Sequence, residues 1–174
     1  MSGALRSEQV DRDISIRPAG PDDLDQLWTL DVKVFEQLAY PYFVLRQLFD
    51  TLRGCWLVAH HPSGVVGYSL AAPTPDRELA WVLGLAIAPD FRNRGYGRQL
   101  TMESLGLLAS MAIPEVCLTV EPDNDFALRL YRHVGFSVVE RHRDYLGPGE
   151  DRLLMTRSIG SSSIPLPRPI SSAE

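Results

Sequence analysis

The residues of this chain best suited to chemistry crowd into one junction. Residues 88–100 read APDFRNRGYGRQL, with Arg92, Arg94 and Arg98 interleaved with Asn93, Gly95, Tyr96 and Gly97. The chain as a whole carries a net charge of −5, so this local excess of positive charge runs against the background. A backbone that leaves a strand through glycines and enters a helix presents unpaired N–H groups at the positive end of the helix dipole, which suits an anion. Gly95 and Gly97 would let a phosphate approach the main chain with no Cβ in the way. The spacing Arg-x-x-Gly-x-Gly is neither the dinucleotide fingerprint nor the Gly-Lys-Ser/Thr end of a P-loop, which argues against a nucleotide triphosphatase. The plain alternative is a strand–helix turn with solvated arginines.

Other candidate groups carry less. His60-His61-Pro62 reads as a turn, and partners for a metal are not evident, so no metal is expected. Cys55 and Cys117 lie in apolar, strand-like stretches and read as small buried thiols, too few for a disulfide framework. The excess of 22 acidic over 17 basic side chains speaks against bulk nucleic-acid binding. The polar start MSGALRSEQVDRD has no apolar core like that of a signal peptide. No apolar run approaches the roughly 20 residues that cross a bilayer. A soluble, cytoplasmic protein with no membrane partner is the expectation.

The elements that must position the junction follow from periodicity. Residues 13–17 alternate as a short strand. Gly20-Pro21-Asp22-Asp23 resembles a helix start, with Leu24, Leu27, Val34 and Phe35 on one apolar face. Pro41 breaks the chain before a second helix carrying Phe43, Leu45, Leu48, Phe49 and Leu52. CWLVAH and VVGYSLAA, joined by HPSG, read as a hairpin. LAWVLGLAIA is apolar on both alternating sets, as a strand covered on both faces must be. After the junction comes a helix to about residue 112, then the strand EVCLTV, then a helix over residues 124–134 with Asn124 or Asp123 as cap and Gly135 as its end. Residues 136–141 and 152–156 read as two last strands. The order β-α-α-β-β-β-α-β-α-β-β predicts a mixed α/β sandwich over residues 13–158. Residues 1–12 are expected to form a flexible tail, and residues 159–174 a Ser/Pro-rich disordered one.

Two motifs carry a resemblance. LAIAPDFRNRGYGRQL resembles the acetyl-CoA motif of the GNAT superfamily of acyl-CoA-dependent N-acyltransferases. Asn124, Ala127, Tyr131, Gly135 and Phe136 match that family's N-x-x-A-x-x-x-Y-x-x-x-G-F. The element order is similar as well, and RHRDYLGPGEDRLLM resembles the closing segment of the ribosomal-protein-alanine N-acetyltransferase branch.

The resemblance implies a V-shaped splay in the central sheet that holds acetyl-CoA. Main-chain groups of Leu85, Ala86 and Ile87 would pair with the pantetheine arm as an added strand would. The N–H groups of residues 92–98 would cradle the pyrophosphate, and Asn124 would touch the cofactor arm. Tyr131 would donate a proton to the leaving thiolate, since a phenol of pKa about 10 stays protonated at neutral pH. The branch carries a glutamate where this chain has Thr119, so the base is open between Glu121, Glu78 and ordered water. Tyr40, Tyr42 and Tyr145 are the aromatic candidates for substrate binding, with Asp144, Glu150 and Asp151 as acids for a cationic amine. The acceptor is a protein N-terminus or a small amine; a homodimer is allowed. A non-catalytic acyl-CoA sensor is the alternative reading.

Overall fold

The structure, a computed structural model, describes residues 14–160. Both expected tails fall mainly on residues 1–13 and 161–174, outside the described residues. Ile159 and Gly160 both donate their N–H to the carbonyl of Pro114, at 2.8 and 3.0 Å.

Among the described residues seven strands form one sheet in the order β1-β2-β3-β4-β5-β7-β6. They are β1 (Ser15–Pro18), β2 (Trp56–His61), β3 (Gly64–Pro73), β4 (Ala80–Ile87), β5 (Glu115–Val120), β6 (Ser137–His142) and β7 (Arg152–Ser158). The described residues also form four α-helices: α1 (Leu24–Phe35), α2 (Tyr42–Thr51), α3 (Tyr96–Ser110) and α4 (Asp125–His133). The expected element order and the mixed α/β architecture are both present. The proline at the first helix start forms a single 3-10 turn, Pro21–Asp23, and α1 begins one residue later. The Asp23 carboxylate accepts the N–H of Gly20 at 2.8 Å, which fixes that entry.

Strand alternation sorts the core. Trp56, Val58, Tyr68, Leu70 and Ala86 meet Leu27, Leu30, Leu45 and Phe49 of α1 and α2. Leu57, Ala59 and Val66 instead pack with Leu100 of α3, on the opposite face. Leu105 and Leu108 of α3 join Leu128 of α4 over Val116 and Leu118 of β5. Each such buried aliphatic side chain contributes roughly 1.5–3 kcal/mol. A buried bond from Ser104 to Ser69 (2.8 Å) ties α3 to β3.

One irregularity shapes the rest. Val82 and Gly84 of β4 pair with the consecutive residues Ala71 and Leu70 of β3, which leaves Leu83 as an extra residue. A bulge of this kind bends its strand and sharpens the local twist. On its other side β4 pairs in parallel with β5 at just three positions, Ala80 with Val116, Trp81 with Cys117 and Val82 with Leu118. Beyond the bulge β4 stays with β3 as far as Ile87, whereas β5 stays with β7 as far as Val120. The sheet therefore opens between Leu83 and Thr119.

Candidate active site

The opening leads into a cleft of about 660 Å³. Its walls come from the end of β4, the junction before α3, the end of β5, the first turns and inner face of α4, and the segment joining α1 to α2.

The junction is built around two positive-φ residues, Asn93 (φ 61°) and Gly95 (φ 84°). A single 3-10 turn, Pro89–Phe91, ends β4's descent, and Gly95 is the N-cap of α3. Gly95 has no side chain to cap the helix, so the N–H groups of the first turn, including those of Gly97 and Arg98, have no intrahelical acceptor. Arg92, Asn93, Gly95, Tyr96, Gly97 and Arg98 all line the cleft. Arg92 donates to the Ile87 carbonyl at 3.1 Å, folding the turn back on β4. Arg94 leaves this wall: it donates to the Asp90 carbonyl at 3.1 Å, and its guanidinium covers the Phe91 ring at 5.3 Å.

Leu85 and Ile87 line the cleft, while Ala86, 1% exposed, points its methyl into the opposite core. Contact from Ala86 is thus confined to its main chain. Asn124 caps α4, its side chain accepting the Ala127 N–H at 3.0 Å, and it also lines the cleft. Gly135, at φ 90°, ends α4, and the Phe136 N–H returns to the Tyr131 carbonyl at 2.9 Å. The Phe136 ring then stands edge-on to Tyr131, with centroids 5.7 Å apart, and orients the phenol at the cleft wall. Burial pushes the Tyr131 hydroxyl well above the ordinary phenol range.

Glu121 lines the cleft just past the end of β5. Its carboxylate lies 3.7 Å from the guanidinium of Arg152, a nearly buried arginine that also holds Glu150 at 3.0 Å. Glu78 sits in the loop before β4, at the end of that strand remote from the cleft, where its N–H binds Asp76. Thr119 lies within β5, opposite Leu154 of β7.

None of the three aromatic candidates for substrate binding lines the cleft. Tyr40 packs into the core beneath α1 and α2. The Tyr42 hydroxyl donates to Asp25 at 2.9 Å, with its ring edge-on to Trp28. Tyr145 lies in the loop between β6 and β7, beside the His142 ring at 5.4 Å. The α1–α2 segment instead contributes Val34, Phe35, Glu36 and Leu38. Val34 and Phe35, expected on the apolar face of α1, pack against the core and also border the cleft. Phe126 and Leu130, which also line the cleft, were missed; their i, i+4 spacing beside Asn124 and Tyr131 was the available signal.

The cleft is thus bipolar, with Arg92 and Arg98 at the α3 end and the carboxylates of Glu36 and Glu121 elsewhere on its walls. Among the described residues no cluster of His, Cys, Asp or Glu has the arrangement of a metal site, and no helix is long and apolar enough to cross a membrane. The two free cysteines are buried, and burial with the nearby Glu115 charge pushes the Cys117 thiol up to about 12.

The chain is similar to known proteins. The family described as "Acetyltransferase (GNAT) family" matches residues 22–136. A mycothiol acetyltransferase of Beutenbergia cavernae is 34% identical over 90 residues, 52% of this chain and 30% of that protein. The N-alpha-acetyltransferase RimI of Mycobacterium tuberculosis is 39% identical over 101 residues, 58% of this chain and 61% of that one. The chain therefore spans less than two thirds of either relative. A phosphinothricin acetyltransferase of Sinorhizobium meliloti, solved in complex with AcCoA, superposes with a TM-score of 0.75 at 19% identity, covering 92% of this chain and 95% of that one. The matched span takes in α1 to α4, the glycine junction and Tyr131, and on that ground the chain belongs to the acetyltransferase (GNAT) family.

Proposed function

We propose that this protein transfers the acetyl group of acetyl-CoA to a primary amine, either a protein N-terminus or a small molecule. The observation that carries the reading is the divergence of β4 from β5 beyond Val82, which opens a cleft with a glycine-lined helix N-terminus at one end and Tyr131 on its wall. The named relatives support both acceptor classes, one being an N-alpha-acetyltransferase and the other a mycothiol acetyltransferase.

In this reading the α3 N-terminus, with Arg92 and Arg98, grips the diphosphate. Main-chain groups of residues 85–87 on the open edge of β4 pair with the amide-bearing arm. A backbone N–H near Ile87 polarises the thioester carbonyl as it takes on negative charge. The amine nitrogen attacks that carbon, the new C–N bond replaces the C–S bond, and the nitrogen gives up a proton to Glu121 or to water. Tyr131 donates to the departing sulfur. Burial raises its hydroxyl pKa, so the phenol is fully protonated at neutral pH and available as the donor to the departing sulfur.

The test is calorimetry with coenzyme A followed by thiol release from acetyl-CoA in the presence of peptide and small-amine panels. Binding with turnover of one panel supports the reading and selects the acceptor class. Absence of any association with coenzyme A or acetyl-CoA overturns it.

A further inference from the structure

Tyr68 passes behind β4 at the point where the sheet opens. It pairs with Ala86 from β3, and its side chain lies with those of Leu70 and Ala86 in the core beneath α1 and α2, away from the cleft-lining Leu85 and Ile87. A Cβ at Gly84 would stand 3.0 Å from the phenol oxygen and 3.1 Å from Cε2, so a larger residue there would press the ring aside. Glycine inside a strand often marks such a close approach. Gly84 is the first residue after the Leu83 bulge, and β5 pairs with β4 only as far as Val82. From Gly84 to Ile87, β3 is therefore the strand that holds β4, and the Tyr68 oxygen lies against its back.

The phenol is itself fixed. Tyr68 is 1% exposed, and its hydroxyl donates to Oδ1 of Asp31, which is fully buried within α1. Oδ2 of the same carboxyl accepts the Tyr40 N–H at 2.7 Å. Trp56 stands edge-on to the Tyr68 ring, with centroids 5.7 Å apart. Both hydrogen-bond partners of Asp31 are uncharged, and burial raises carboxyl and phenol alike above their ordinary ranges. A carboxyl buried without a cation is unfavourable for folding, and apolar groups of the same shape would stabilise the core as well or better. What the polar pair adds is a set length and direction, which apolar contacts lack. Neither side chain lines the cleft, so the pair can act on the site only through the backbone it supports.

We propose that Asp31 and Tyr68 are positioning residues for the transfer step: Asp31 holds the phenol, the phenol braces Gly84, and β4 thereby presents residues 85–87 where the thioester carbonyl must sit beside Tyr131. This rests on the transferase reading above and extends its chemical step to two residues outside the cleft.

The test uses the full chain, with thiol release from acetyl-CoA, calorimetry with coenzyme A and the melting temperature as readouts. The tripeptide Met-Ala-Ala (free N-terminus) and glucosamine are the acceptor probes. Tyr68→Phe keeps the ring and removes the oxygen; kcat falls about tenfold while acceptor KM and coenzyme A affinity stay within about twofold. Asp31→Asn leaves one of the two donors without an acceptor and gives the same split. Because the two residues act through one bond, the double variant loses no more than about twofold beyond the worse single variant. Gly84→Ala displaces the phenol oxygen from the other side and lowers kcat about fivefold, but in the Tyr68→Phe background it costs no more than about twofold, since the oxygen it meets is gone. Phe49→Leu, in the same buried cluster, lowers the melting temperature and leaves kcat within about twofold.

A wild-type kcat in either Tyr68→Phe or Asp31→Asn overturns the proposal. So does a loss of coenzyme A affinity equal to the loss of kcat, or a matching fall of kcat in Phe49→Leu, which is what weakened packing alone would give. Additive effects in the Asp31→Asn and Tyr68→Phe pair overturn the shared bond, and a full further loss from Gly84→Ala in the Tyr68→Phe background overturns the contact with β4. A wild type that binds acetyl-CoA yet acetylates neither probe overturns the transferase reading together with this one. That result is distinct from an active wild type whose Tyr68→Phe variant is equally fast.

Discussion

The guanidinium of Arg152 lies 3.7 Å from the carboxylate of Glu121, where β5 ends at the cleft. Arg152 has a side chain only 6% exposed and shares its charge with Glu150 at 3.0 Å, so one buried cation joins the strand end to the loop between β6 and β7. Removing that cation by Arg152→Ala strands neither partner in the dry interior, because both carboxylates keep contact with solvent. The expected cost is about 1–2 kcal/mol rather than the 3–5 kcal/mol of a fully buried pair, read from urea unfolding. A cost of zero would show that the pair is only a surface contact.

If Glu121 takes the amine proton, Glu121→Gln lowers kcat about 100-fold with little change in coenzyme A affinity. Steady-state kinetics between pH 6 and 9 decide the point. Full activity across that range would leave ordered water as the acceptor of the proton.

Tyr131→Phe keeps the edge-on contact with Phe136 and removes only the hydroxyl. Turnover is expected to fall by about 10–100-fold while coenzyme A affinity and the melting temperature hold. Stopped-flow measurement of thiol release separates the chemical step from binding; an unaltered rate of that step would remove Tyr131 from the reaction.

Gly95 and Gly97 make different demands. Gly95 sits at φ 84° with open space where a Cβ would stand, so Gly95→Ala strains the backbone without a clash and costs about 1 kcal/mol. A Cβ at Gly97 would come within 3.4 Å of a Leu130 methyl and 3.8 Å of Ile87. The larger Gly97→Val therefore displaces side chains of the cleft wall. Both substitutions are expected to weaken coenzyme A binding, the valine more, as titration calorimetry would show.

Two carboxyls pull the acid stability in opposite directions. Asp23 is held below the usual carboxylate range, chiefly by its bond to Arg17. Its contribution is present above the ordinary pKa and is lost as the pH falls through the folded value. Burial instead raises Asp31 above the usual range, against the bonds from Tyr68 and the Tyr40 N–H. The native state there binds more protons than the unfolded chain, so stability from Asp31 is gained as the pH falls from above its folded value toward the ordinary one. Asp23→Asn should flatten the acid limb of a stability–pH curve and Asp31→Asn should steepen it. Equal curves for all three proteins would show that neither shift is real.

The legible part of the cleft was the wall built by the glycine junction and α4. Six of the seven residues from Arg92 to Arg98 reach the cleft wall, since a contiguous turn carries its neighbours along with it. Asn124 and Tyr131 arrive there by a helix whose cap and glycine stop were both readable. The wall supplied by the α1–α2 segment was less legible. Tyr40, Tyr42 and Tyr145 were chosen for residue type, but side-chain direction in a loop or at a helix start depends on what packs behind it. Phe35 was legible as core because it continues α1's apolar face, and it packs there, but that it also borders the cleft depends on where β4 and β5 part.

By itself, the sequence determined the order of strands and helices, the glycine-lined entry to α3 and the cap and stop of α4, because each rests on residues within a turn or two of one another. Only the tertiary structure decided where the sheet opens, since the Leu83 bulge is defined by its pairing with β3. It also decided which carboxylates have partners. Asp31 meets Tyr68 across 37 residues of chain, and Glu121 meets Arg152 from a different strand. Burial and charge pairing depend on what the folded chain brings together in space, and no local pattern records that.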